Sequence, residues 1–287
     1  MIKKVFLAAL ISFLSFSFYS QEYGMVLSGG GGKGAYEVGV WKALSDYGYA
    51  QRITAISGTS VGGLNAGLFA CEDPHEIERI WFVEVPYELD EKTDELINQK
   101  GLKKIIKGVH LEKLQRAFSY PKVYVTTVRR RFWPLKFVSK LIGFNFPHRF
   151  LLNKVEDIVE IENMLLATSA FPIETEAVLL KDGYYHVDGG IADNTPLVPL
   201  TNLYSSGVFN QIFVVYLDNT PSKYLSSENP ELQLLEIIPS EELGGLFEGT
   251  TNFTRSKIEH LIRLGYKDTV KIMKDNKRYP VSSYWFE

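Results

Sequence analysis

The sequence predicts an α/β domain with a mostly parallel central sheet, and three observations carry that expectation. An apolar strand, Tyr23–Leu27, runs into the glycine loop Ser28-Gly29-Gly30-Gly31-Gly32-Lys33-Gly34, then into a helical pattern over residues 35–44 and a second strand over 53–56. This is a βαβ unit, which implies parallel strands joined by a right-handed crossover. The second strand reverses at Ser57-Gly58-Thr59-Ser60 directly into a helix of small residues, Val61–Cys71. Length is the third observation. Residues 1–20 read as an export signal, and removing them from the 287-residue chain leaves 267, a size at which one α/β domain buries a large core.

The N-terminus supports that division. Lys3 and Lys4 precede fifteen uncharged residues, 5–19, a positive region and an apolar stretch too short to span a bilayer with confidence. Ser20 offers a small residue for cleavage, although Phe18 fits poorly at the second small position. The expected organisation is a signal peptide over 1–20, an α/β domain over 21–218 and a C-terminal helical extension over 219–287 packed on the same domain. The expected destination is periplasmic or secreted. Removal of the signal takes the formal charge from −3 to −5, which argues against general nucleic-acid binding. Cys71 is the only cysteine, so no intramolecular disulfide forms and packing must hold the fold.

Beyond the serine turn, Ile77, Ile80, Trp81 and Val85 have helical spacing, and residues 86–120 read as peripheral helices that cap one end of the sheet. A β-branched strand follows over residues 123–128. Basic and aromatic residues then alternate through Arg129, Arg130, Arg131, Phe132, Trp133 and Phe137 and on to Lys140, Phe144, Phe146 and Arg149, a composition suited to an anionic lipid surface, to single-stranded nucleic acid or to a solvated loop with tucked rings. A helix ends near Thr168. A hairpin turns at Lys181-Asp182-Gly183 and delivers Asp188-Gly189-Gly190. A helix starts at Asn194-Thr195-Pro196-Leu197, with Pro196 in its first turn. Residues 212–217 form the last clear strand, and an amphipathic helix from Arg255 to about Lys274 turns Ile258, Leu261, Ile262 and Tyr266 inward.

The chemistry centres on Ser60. Gly58-Thr59-Ser60-Val61-Gly62 fits Gly-x-Ser-x-Gly, in which a sharp strand-to-helix turn strains the serine backbone and exposes its hydroxyl. The plain alternative is a serine that caps the following helix. The glycine loop admits three readings. A dinucleotide fingerprint at Gly29, Gly31 and Gly34 lacks the acidic residue about twenty positions on, because the second strand ends in Ser57-Gly58. A phosphate-binding loop requires Ser or Thr after the lysine, and Gly34 follows Lys33. An oxyanion hole fits, since consecutive glycines turn several N–H groups toward one point. Lys33 adds positive charge there or anchors the loop.

A serine nucleophile needs a proton acceptor. Of His75, His110, His148, His186 and His260, only His260 follows Asp188 in the chain order of an α/β-hydrolase triad, and it lies in the amphipathic helix. His186 shares a strand face with Asp188, to line the site or to pack. Asp188 is the remaining acceptor. A free aspartate, with a pKa of about 3.9, is a weak base, but burial raises its basicity.

Together, residues 28–36, 58–63 and 188–190 resemble the patatin-like phospholipases, as do Leu166-Ala167-Thr168-Ser169-Ala170-Phe171-Pro172 and Asn194-Thr195-Pro196. The resemblance runs roughly from Met25 to Leu200. It implies a three-layer α/β/α sandwich and hydrolysis of lipid acyl esters without metal or organic cofactor. It further implies Ser60 as nucleophile, Asp188 as base and Gly29, Gly30 and Gly31 around the oxyanion. Lys33, Gly34, Gly58, Gly62, Gly189 and Gly190 complete the motifs. The expected activity is that of a phospholipase A or lysophospholipase on a phospholipid or related ester, with membrane contact through Arg129, Arg130, Arg131 and Trp133 and no nucleic-acid partner. The alternatives are a His-dependent esterase and a non-catalytic lipid- or partner-binding protein on the same fold.

Overall fold

The computed structural model describes residues 22–90, 97–116, 121–130, 146–171, 175–221 and 224–275. The expected signal peptide, Arg131 and Trp133 lie outside these residues. Among them the strands are β1 (Tyr23–Leu27), β2 (Ile53–Thr59), β3 (Lys122–Arg130), β4 (Pro147–Leu151), β5 (Val178–Leu179), β6 (Tyr185–Asp188), β7 (Gln211–Val215) and β8 (Leu234–Ile237). They form one sheet in the order β5-β6-β3-β2-β1-β7-β8, with β4 also on β3. Strands β3, β2, β1, β7 and β8 pair in parallel, whereas β4, β6 and β5 add antiparallel pairs at one end.

The principal helices are α1 (Ala35–Asp46), α2 (Val61–Cys71), α3 (Pro74–Arg79), α4 (Val85–Leu89), α5 (Gln99–Gly108), α6 (Ile158–Thr168), α7 (Val198–Ser205) and α8 (Arg255–Asp275). Strand alternation divides them into two layers. Met25, Leu27, Ile56, Phe213 and Val215 face a large core shared with α1, α2, α6 and α8. Val26, Ala55, Ile212 and Val214 face a smaller core with Leu197 and Leu200. The result is the three-layer α/β/α sandwich.

Local signals set the helix starts. Asp73 accepts the N–H groups of His75 and Glu76 with Pro74 in the first turn, and Asp157 accepts that of Val159, which starts α6 at Ile158. The helix expected over 76–85 is interrupted by a π-helical turn, Ile80–Glu84. Pro196 precedes α7, and Pro199 occupies its first turn. Two strands escape the apolar pattern. β4 lies within the basic and aromatic stretch, and β8 is a four-residue strand after the expected last one.

The C-terminal segment is built into the domain. Helix α8 packs along α1 through two glycines: a Cβ on Gly39 would lie 2.0 Å from the Ile262 carbonyl oxygen, and one on Gly265 would lie 2.1 Å from that of Tyr36. The backbones touch, and the Tyr36 hydroxyl donates to the buried Asp268 carboxylate at 3.2 Å.

One feature of the sheet positions the site. Strand β2 runs parallel to β3 and ends with Thr59 opposite Thr126. Strand β6 runs the other way and ends with Asp188 opposite Thr127. The two strands therefore travel toward each other and finish at consecutive residues of β3.

Candidate active site

Ser60 is the single residue between β2 and α2. Its φ of 55° makes it the one non-glycine residue with positive φ among the described residues, a conformation that costs about 1–3 kcal/mol and persists only where surroundings enforce it. Here a close approach enforces it. A Cβ on Gly58 would lie 2.2 Å from the Gly62 carbonyl oxygen, and one on Gly62 would lie 2.5 Å from that of Leu27. The serine makes no side-chain cap to α2, which removes the capping alternative. Its hydroxyl shares a pocket with the Asp188 carboxylate and favours that group's ionised form.

Asp188 ends β6 and is 5% exposed. Its N–H donates to the Ala170 carbonyl at 2.9 Å, and its carboxylate accepts the Gly190 N–H at 2.7 Å. Burial pushes the carboxyl up to about 6, against the opposing pull of the Ser60 hydroxyl and the Gly190 hydrogen bond. Gly189 follows in a tight turn that runs to Ile191.

The glycine loop leaves the end of β1, beside Ser60. Ser28 donates its hydroxyl to the Val215 carbonyl at 2.8 Å and meets the Thr195 hydroxyl at 2.9 Å. The Gly29 N–H is committed to the Asn194 carbonyl at 3.0 Å, and the Asn194 amide returns a bond to the Gly29 carbonyl at 3.2 Å. Gly29 thus frames the loop without a free donor. Gly30 caps and Gly31 opens the first 3-10 turn, so neither N–H has a partner within that turn, which makes these two the candidate oxyanion donors. Gly31 has φ of 57° and lies hard against the Thr250 carbonyl, so the C-terminal segment buttresses the loop. Lys33 runs along Gly249 in that segment. Burial lowers its pKa, and the charges of Asp218 and Glu242 oppose the shift.

Two cavities meet at this point, and Ser60 and Gly31 line both. One is apolar, about 80 Å³ in volume, and runs beneath α4, α5 and the π-helical turn before them, between Leu64, Leu68, Trp81, Leu102, Ile106 and Phe253. The other is mixed in character and contains the glycine loop, Lys33, Asp188, Asn194, Thr195 and Asp218 beside apolar residues such as Phe171 and Leu217. The expected cap therefore has a concrete role, which is to roof the apolar cavity.

The histidines lie elsewhere. His186 is fully buried, with Nδ1 2.7 Å from the Thr127 hydroxyl and Nε2 3.1 Å from Asp182. His260 is on the outer face of α8, bonded to Glu241 at 2.5 Å. Neither bonds Ser60. Arg129 pairs with Asp182 at 2.9 Å and lies 4.3 Å over the Tyr184 ring, while Arg130 is exposed at the end of β3.

Sequence reasoning passed over a buried polar set beneath the loop. Asn65 donates to the Gly34 carbonyl at 3.0 Å and to Glu37 at 2.8 Å, and accepts the Trp81 indole N–H at 3.0 Å. Burial drives the Glu37 carboxyl well above the usual range. The signal available was Glu37 and Asn65 among otherwise apolar and small helix residues.

Compared with protein-family profiles, residues 25–201 match that of the patatin-like phospholipases. The chain belongs to the patatin-like phospholipase family. Membership in this family supports lipid hydrolase activity. Comparison with curated proteins gives no match. Among solved structures, VipD from Legionella pneumophila is similar at 13% identity and a TM-score of 0.45, over 89% of this chain and 67% of that one. The type III effector protein ExoU is similar at 14% identity and a TM-score of 0.43. The alignment with ExoU covers 89% of this chain and 53% of the effector, so this patatin-like chain spans about half of its length.

Proposed function

We propose that this patatin-like protein is an exported serine hydrolase that cleaves lipid acyl esters, of phospholipase A or lysophospholipase type, by a Ser60–Asp188 dyad. The observation that carries the reading is that the strained Ser60 and the buried Asp188 line one pocket, with the serine hydroxyl favouring the ionised carboxylate, beside an apolar cavity that Ser60 also lines. An acyl chain enters the cavity beneath α4 and α5, and the head group remains in the pocket that holds Lys33, Asn194 and Asp218.

Ser60 Oγ attacks the ester carbonyl carbon while Asp188 takes the hydroxyl proton. The carbonyl π electrons move onto oxygen, where the N–H groups of Gly30 and Gly31 stabilise the charge. Collapse of the tetrahedral intermediate breaks the C–O bond to the leaving alcohol, which takes the proton from Asp188. Water then attacks the acyl-enzyme and gives its proton to Asp188. The second collapse expels Ser60, which recovers the proton and frees the fatty acid. Burial serves this chemistry, because a carboxyl with a pKa near 6 is a stronger base than a solvated one and is still ionised at neutral pH.

Export rests on the N-terminal signal pattern. Any contact with anionic membrane falls to Arg130 and the basic stretch after it, since Arg129 is engaged by Asp182. Steady-state hydrolysis of fluorogenic acyl esters by wild type and Ser60→Ala tests the reading. Turnover is expected to fall by about 10³-fold or more on loss of the nucleophile. Full activity in the folded variant would contradict it.

A further inference from the structure

One short segment touches the backbones of both proposed reacting residues. Thr168 is the last residue of α6, and its hydroxyl accepts the Ser60 N–H at 3.0 Å while donating to the Thr126 carbonyl of β3 at 2.5 Å. Two residues later, the Ala170 carbonyl accepts the Asp188 N–H at 2.9 Å. Thr168 is completely buried and Ala170 nearly so. Ser169 between them donates its hydroxyl back to the Leu165 and Leu166 carbonyls, each at 3.1 Å, which ties the segment to the end of the helix.

Resting on the Ser–Asp reading above, we infer that Thr168 is a positioning residue: it and Ala170 form a rigid spacer that fixes the distance between Ser60 and Asp188.

Three features support the inference. First, Ser60 has a strained backbone, and strain relaxes unless something holds it. The Thr168 hydroxyl holds the N–H at the strained residue itself, and its other bond anchors it to β3, the strand against which β2 and β6 both end. Second, the spacing is short and stiff, with one residue between the two anchors and that residue bonded to the helix. Third, the bond to Thr168 consumes the Ser60 N–H, so it cannot serve an oxyanion, and the hydroxyl of Thr168 points its chemistry at geometry rather than at substrate. A threonine is suited to the task because its β-branched side chain has few rotamers and it donates and accepts at once.

The test compares Thr168→Val, which keeps shape and removes the hydroxyl, with Thr168→Ser, which keeps the hydroxyl. Each is assayed on a soluble p-nitrophenyl acyl ester, with circular dichroism to establish folding. Thr168→Val is expected to lower kcat on the order of 10²-fold, the scale of a displacement of about 1 Å at a reacting centre, with little change in KM. Its pH–rate profile is expected to move upward at the acid limb, because Asp188 loses the nearby Ser60 hydroxyl that favours its ionised form. Thr168→Ser is expected to restore both. If Thr168→Val does not fold, Thr168→Cys carries the same readouts, since a thiol is a weak acceptor of similar size. Wild-type kcat and an unmoved acid limb in a folded Val or Cys variant would overturn the spacer. An inactive wild type would instead overturn the hydrolase reading, so the two failures are distinguishable.

Discussion

At Asp188 and at His186, two residues apart on β6, the fold sets a hydroxyl against a titratable side chain. Asp188 meets Ser60, whose backbone is strained and whose hydroxyl opens on two cavities. His186 meets Thr127 at 2.7 Å and Asp182 at 3.1 Å, which gives a hydroxyl, an imidazole and a carboxylate in series, the residue types of a familiar catalytic triad. Yet His186 and Thr127 are fully buried, and neither lines a cavity that reaches Ser60. The histidine set satisfies buried polar groups at the antiparallel end of the sheet. The aspartate set has an accessible hydroxyl, two adjacent glycine donors and a place for substrate. The two sets share residue types, and what singles out the Asp188 set for the proposed catalytic role is strain, access and adjacent glycine N–H groups.

The sharpest way to break this comparison is at Asp188. Asp188→Asn is expected to reduce turnover on the order of 10²–10⁴-fold, the range for loss of a general base, as measured on a fluorogenic ester. The same variant tests burial through stability. The folded carboxyl has a pKa near 6 against an ordinary 3.8, so the fold disfavours the ionised form. That cost is absent below about pH 4, grows between pH 4 and 6 and is complete above it. Each pH unit of displacement is worth about 1.4 kcal/mol, so Asp188→Asn is expected to stabilise the protein on the order of 2–3 kcal/mol at pH 8. At pH 4 it is expected to bring almost no gain, as measured by urea unfolding at both pH values. A destabilised variant at pH 8 would refute the buried-carboxylate account.

A smaller effect sharpens the same point. Wild-type kcat/KM is expected to fall below about pH 6 with a single acid limb, as Asp188 protonates. A histidine base would act through a different group, and His186→Gln would then remove the limb. The smallest expected change in turnover belongs to His186→Gln itself, less than about tenfold. Its cost is expected in stability instead, about 1–3 kcal/mol for buried partners left unsatisfied, read from thermal or urea unfolding.

The two sets also differ in how far the sequence reveals them. Gly58, Ser60 and Gly62 are legible because the turn needs small residues at fixed local spacing, and Asp188 is legible from the glycines beside it. The inner face of α8 is legible from its helical period: of the four residues expected there, Ile258, Leu261 and Ile262 are buried and Tyr266 is partly buried. What escapes depends on contacts distant in the chain. The Thr168 hydroxyl bonds Ser60 across 108 positions and Thr126 across 42, and no local pattern announces either. The Gly29 N–H is spent on Asn194, 165 positions away, although the loop read alone offers Gly29 equally with Gly30 and Gly31. Strands β4 and β8 are short, and their pairing with β3 and β7 rather than their composition makes them strands.

The central claim is that Ser60 is activated by Asp188 without histidine. Labelling with a fluorophosphonate tests it most directly, with the adduct located by peptide mass mapping and its rate compared among wild type, His186→Gln and Asp188→Asn. The account predicts an adduct on Ser60, formed at nearly equal rates in wild type and His186→Gln and far more slowly in Asp188→Asn. Rapid labelling of Asp188→Asn together with loss of labelling in a folded His186→Gln would contradict it.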